Sequence, residues 1–141
     1  MCKAIDVAEY IINYPNIYVD NLKLQKLVFY SQAISLVINK KPLFKDSIQA
    51  WDYGPVIPQL YKRYKKVDQQ IPVTNKNYSL SPDEITAIDL AIGHYGNMTG
   101  SQLITLTHSE KPWQIAYAKG RNSEITQQSM IDFYSTIYKY E

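Results

Sequence analysis

Residues Asn21 to Ile38, NLKLQKLVFYSQAISLVI, decide the fold. At helical spacing Leu24, Leu27, Val28, Ile34, Val37 and Ile38 supply apolar groups, and Phe29, Ala33 and Leu36 supply more on the other side. Gln25 and Gln32, about two turns apart, leave only a thin polar ridge that Asn39 extends. A helix apolar nearly all round belongs in the middle of a bundle, covered by other helices. Lys23 and Lys26 interrupt the run too early for a membrane span, which needs about 20 mostly apolar residues. The stretch therefore reads as a buried central helix.

Working outward, Asp20 is placed to cap this helix and Lys40-Lys41-Pro42 to end it. Upstream, Ala4, Ile5, Ala8, Ile11 and Ile12 form one stripe of a helix from Ala4 to Tyr14, stopped by Pro15. Downstream, two short apolar pieces flank Lys45-Asp46-Ser47 and predict a minor β-hairpin or extended loop near residues 43–51. Tyr53-Gly54-Pro55 breaks the chain, and Pro58 opens a helix through Leu60, Tyr61 and Tyr64 to about Lys66. Asp68 to Leu80 is a polar connection, partly extended.

Capping boxes at Ser81/Glu84 and Thr99/Gln102 predict helices from Pro82 to Gly96 and from Gly100 to about Leu106. Thr107 to Lys111 reads as a turn, with the Thr107 hydroxyl or the His108 imidazole capping the helix end before Pro112-Trp113. Pro112 opens a short helix that stops before Gly120. Thr126 caps a last one, with Met130, Phe133 and Ile137 on one line and Ile131, Tyr134 and Tyr138 beside it. The expected fold class is all-α, about six or seven helices around the central one, in a single domain over residues 1–141.

A chain of 141 residues can bury a core without metal or disulfide staples, and its single cysteine allows no internal disulfide. The N-terminus lacks the basic segment and apolar run of a signal peptide, which predicts a cytoplasmic protein. A formal charge of +2 is too small to imply a polyanionic partner. The 13 tyrosines suit half-buried positions and interfaces alike.

Little points to catalysis. His108, Ser109 and Glu110 are neighbours in a turn, and no third group stands out to orient a nucleophile–base pair. Cys2, His94 and His108 are the soft metal ligands, and their spacing matches no zinc pattern. No phosphate loop is present, so neither an enzyme, a metal nor a cofactor is expected. Lys62, Arg63, Lys65 and Lys66, interleaved with Tyr61 and Tyr64, form a basic cluster in which Lys62, Lys65 and Lys66 share a helical face. That face is open to three readings: solvated, phosphate-binding, or matched to an acidic protein. Trp51 and Tyr53 are either core aromatics pinning the Gly54-Pro55 turn to the central helix or exposed interface anchors.

Three segments together, Leu22–Tyr30, Ala50–Tyr61 and Leu106–Trp113, resemble the Panacea domain, also called the SocA-like or GepA-like domain. Gln25 and Lys26, then Trp51-x-Tyr53-Gly54-Pro55-Val56, then Thr107-His108 with Pro112-Trp113 carry the likeness over nearly the whole chain. The resemblance implies the antitoxin of a bacterial or prophage toxin–antitoxin pair, binding a cognate toxin encoded by an adjacent gene. One branch of that family instead acts as an adaptor delivering its toxin to an ATP-dependent protease, and a small nucleic-acid-binding regulator is a further alternative. Some members carry an additional DNA-binding domain, for which this length leaves no room, so autoregulation of transcription is not expected. The family's motifs do not disclose its toxin contacts; Trp51, Tyr53, Tyr61, Lys62, Lys65 and Lys66 are the candidates from residue chemistry.

Overall fold

In the computed structural model, which describes residues 1–73 and 78–138, the Asp20 carboxylate accepts the Lys23 N–H at 2.9 Å and starts helix α2 (Asn21–Ile34). Every residue of α2 except Leu22 is buried. The chain continues as a π-helical turn, Ser35–Asn39, rather than as α-helix to Ile38. There the Ser35 hydroxyl donates to the Lys41 carbonyl at 2.8 Å and Lys40 turns left-handed, so the chain leaves the helix sideways.

The glutamine ridge faces protein, not water. Gln32 accepts the Leu43 N–H at 2.7 Å and donates to the Phe44 carbonyl at 2.9 Å, tying down the loop after the helix. Gln25 accepts the Ile57 N–H at 2.9 Å and donates to Asn21 at 2.9 Å. Buried amides thus supply the backbone partners that an apolar face could not. Both lysines of the run are buried as well.

Around α2 lie α1 (Ala4–Ile12), α3 (Pro58–Tyr64), α4 (Pro82–Tyr95), α5 (Gly100–His108), α6 (Lys111–Ala118) and α7 (Gln127–Tyr134). The caps predicted at Ser81, Thr99 and Thr126 all form, and α4 makes the most extensive packing against α2. Four of these helices end differently from expectation. α1 stops at Ile12 and α3 at Tyr64, while α5 runs on through His108. α7 stops at Tyr134, burying Met130 and Tyr134 and leaving Ile137 nearly half exposed beyond its end. In the 68–80 connection the Ile71 N–H donates to the Val19 carbonyl at 2.8 Å; residues 74–77 of that connection lie outside the described residues.

The hairpin falls later than predicted. β1 (Gln49–Trp51) pairs antiparallel with β2 (Gly54–Val56) through an Asp52-Tyr53 turn, and β3 (Ser123–Glu124) adds to the other side in the order β2-β1-β3. Residues 43–47 are a loop instead, with Leu43 and Phe44 packed into the core. Gly54-Pro55, read as a break, is a strand because β2 is at the sheet edge, where proline's missing N–H is tolerated. Gly54 takes φ +100°, a conformation open to glycine. Among the described residues no helix is long and apolar enough to cross a membrane.

Candidate partner-binding site

The segments that carry the family likeness meet at the hairpin. From α2, Gln25 holds the start of α3 through Ile57, and Lys26 lies under the turn. A Cβ on Gly54 would stand 2.6 Å from Lys26 Cε and 2.9 Å from Thr107 Oγ1, so α2, β2 and α5 touch at a point only glycine can occupy. Pro55 faces Ala50 across the pair, and Pro112 is buried in the first turn of α6. The Trp113 indole donates to the Trp51 carbonyl at 2.9 Å, while its ring stacks between His108 at 4.1 Å and Tyr117 at 4.5 Å.

The tip is clamped from the same side. Asp52 accepts the Tyr117 hydroxyl at 2.6 Å and takes both Arg121 donors, Nε at 3.1 Å and Nη2 at 2.6 Å. These bonds, Tyr117's first, hold the Asp52 carboxyl below the usual carboxylate range, and the same hydrogen bonds raise both Tyr117 and Arg121. The next residue, Tyr53, is 64% exposed. It is a side chain on a fixed mount, left out in solvent.

Tyr53 borders a groove of about 310 Å³, with Leu22, Tyr61, Lys65, Val67 and Asp68 among its walls. Trp51 is half-buried behind it, its ring 5.0 Å from Tyr61 and its indole donating to Gln49 at 2.8 Å. Of the segment's aromatics, Trp51 packs on Tyr61, while Tyr53 and Tyr61 face the groove. α3 ends at Tyr64, and Lys65, its C-cap, keeps helical φ and ψ. Lys65 stands at the C-cap on the groove wall, while Lys62 and Lys66 are exposed outside it.

His108 and Thr107 do not cap as expected. The Thr107 hydroxyl bonds back to the Leu103 and Ile104 carbonyls, both at 3.0 Å, and α6 starts at Glu110 with no side-chain cap. Nor do His108, Ser109 and Glu110 converge. Ser109 turns to the Leu106 carbonyl, and the buried Glu110 carboxylate accepts the Tyr30 and Tyr134 hydroxyls at 2.6 and 2.7 Å. Burial outweighs those two bonds and raises the Glu110 carboxyl.

Two features had no signal in the chain's periodicity. One is the Asp52–Arg121 clamp, which joins residues 69 apart. The other is the state of Lys26, which has 0% exposure, an amine with no hydrogen-bond partner among the described residues, and a pKa pulled down to about 7 by burial, against the opposing charge of Asp20.

Residues 24–114 match the family described as antitoxin SocA-like, Panacea domain. The Antitoxin SocA of Caulobacter vibrioides (strain NA1000 / CB15N) is 29% identical over 123 residues, covering 76% of this chain and 65% of that protein. The match therefore spans just under two thirds of that relative's length. No solved structure matches the chain.

Proposed function

The chain belongs to the antitoxin SocA-like Panacea domain family, and on that footing we propose that it is an antitoxin that neutralises a toxin protein in the cytoplasm by binding it directly at the Tyr53 groove. The observation that carries the site is Tyr53 itself: a large, mostly exposed aromatic on a turn fixed by Asp52, Trp113 and Arg121. Aromatic anchors dominate binding hot spots. Tyr61 and Leu22 widen the apolar contact, and Lys62, Arg63, Lys65 and Lys66 favour and steer an acidic surface. Neutralisation of this kind needs a complementary face and slow dissociation rather than chemistry.

The test is co-expression with the product of the adjacent reading frame, scoring growth rescue and co-purification for the native protein and for Tyr53→Ala. Rescue with a stable complex is expected. Tyr53→Ala should keep its melting temperature and bind roughly 30-fold or more weakly, the loss of a hot-spot side chain. A harmless neighbour would remove the antitoxin reading. A Tyr53→Ala variant that rescues and co-purifies like the native protein would move the site elsewhere. Rescue accompanied by disappearance of the toxin would favour delivery to a protease over blocking.

A further inference from the structure

Lys26 is a poor choice for its surroundings. An ammonium buried without a partner is destabilising by several kcal/mol, and methionine would fill similar space without that penalty. Lys23, one turn earlier on the same helix, shows the satisfied arrangement, its amine donating to the Gly96 carbonyl at 2.6 Å. Nothing among the described residues does the same for Lys26.

Its place suggests why it is there. Lys26 Cε and Nζ lie 2.6 and 3.4 Å from the point where a Gly54 side chain would begin. Gly54 follows Tyr53, and Leu22, one turn before Lys26, lines the same groove as Tyr53. The lysine therefore packs under the backbone of the turn that carries Tyr53. That turn is fastened at Asp52 through exposed groups, whereas Gly54 offers no side chain to hold it onto the lysine.

We infer that Lys26 is the concealed charged centre of this groove: a partner seated on Tyr53 shifts the turn at Gly54 and presents an acidic side chain that pairs with the amine. The inference rests on the antitoxin reading for the existence of a partner and adds its chemistry, a protruding Asp or Glu. In the free protein the amine is largely neutral above pH 7, so pairing draws a proton from solvent. Asp20 is the charge that acts on it from its own helix; Thr107 of α5 and Gly54 of β2, which pack on it, are uncharged, and His108 follows Thr107. The exposed Lys62, Arg63, Lys65 and Lys66 outnumber the Asp20 and Asp68 carboxylates that line the groove and bias the same face towards an acidic partner.

The experiment is calorimetric titration of the purified chain with the adjacent reading frame's product, in phosphate and in Tris at pH 8, for the native protein, Lys26→Met and Tyr53→Ala. The native complex should take up close to one proton and weaken as pH rises from 7 to 9. Lys26→Met should stay folded, bind about tenfold to a hundredfold more weakly, the worth of a charged hydrogen bond, and take up no proton. Unchanged affinity in Lys26→Met while Tyr53→Ala loses binding would overturn the inference and leave the antitoxin reading standing. Proton uptake that persists in Lys26→Met would overturn it too. Should Lys26→Met not fold, the native titration still decides, since no uptake at pH 8 refutes the pairing. No complex at all removes both readings.

Discussion

Replacing Lys26 with methionine should stabilise the free protein, against the usual expectation for a fully buried position. The amine falls from 10.5 to about 7 on folding, chiefly through burial. By linkage that shift is destabilising at pH 7 by on the order of 4 kcal/mol relative to a permanently neutral side chain. Methionine keeps the length and removes the charge, and part of the gain is lost to imperfect packing, so about 2–4 kcal/mol should remain. In urea this moves the midpoint up by about 1–2 M. The sign with pH is equally definite. Between about 7 and 10.5 the unfolded chain holds the proton that the folded one has shed, so native stability rises with pH through that window and Lys26→Met lacks the rise. By pH 9 the gap between the two should have narrowed by about 2 kcal/mol. Above pH 10 the phenols of Tyr30, Tyr134 and Tyr138, raised by burial, ionise first in the unfolded chain and stability falls for both proteins. Urea titrations at pH 7, 8 and 9 measure all of this. A less stable Lys26→Met, or a native protein whose stability is flat from pH 7 to 9, would show that the amine stays charged and satisfied, and the reasoning would fail.

Gly54→Ala should cost about 2–4 kcal/mol in chemical denaturation, from the left-handed backbone and from the contact with Lys26 Cε, and less in a Lys26→Ala background, where that contact is gone. Glu110→Ala should be more damaging than Glu110→Gln, by about 1–3 kcal/mol in thermal or urea melts, because it strands two buried hydroxyls whereas glutamine still offers them an acceptor. The Cys2 thiol, pushed up to about 12 by burial and by Glu84, should react with a thiol reagent at pH 8 far more slowly in the native protein than in urea.

What the sequence discloses is local, and what it hides is long-range. The central helix was legible because burial on all sides puts apolar residues on every side of it, and the caps at Asp20, Ser81, Thr99 and Thr126 because each is decided within four residues. The hairpin was misplaced because glycine and proline say only that the chain cannot continue as helix; they do not say that an edge strand will accept them. Lys23 and Lys26 read alike as polar interruptions, and only the packing of β2 and α5 on one of them separates a satisfied amine from a stranded one. Likewise, the candidates Tyr53, Tyr61 and Lys65 share a groove while Lys62 and Lys66 are exposed outside it, a sorting by tertiary neighbours that helical spacing does not give.

The residues behind the family likeness have a common physical task. Gln25, Lys26, Gly54, Thr107 and Trp113 form the joint between α2, the hairpin and the α5–α6 corner, most of it buried in the free protein. Their effect at the surface is indirect, because they fix where Tyr53 stands. Lys65, Val67 and Asp68, which complete the groove, lie outside the motif segments. Under the proposed function, the motif specifies a mount and the groove walls specify what it receives. Substituting Lys65, Val67 or Asp68 should therefore change which partner binds while leaving the fold intact; substituting Gly54 or Gln25 should weaken the fold first and binding as a consequence.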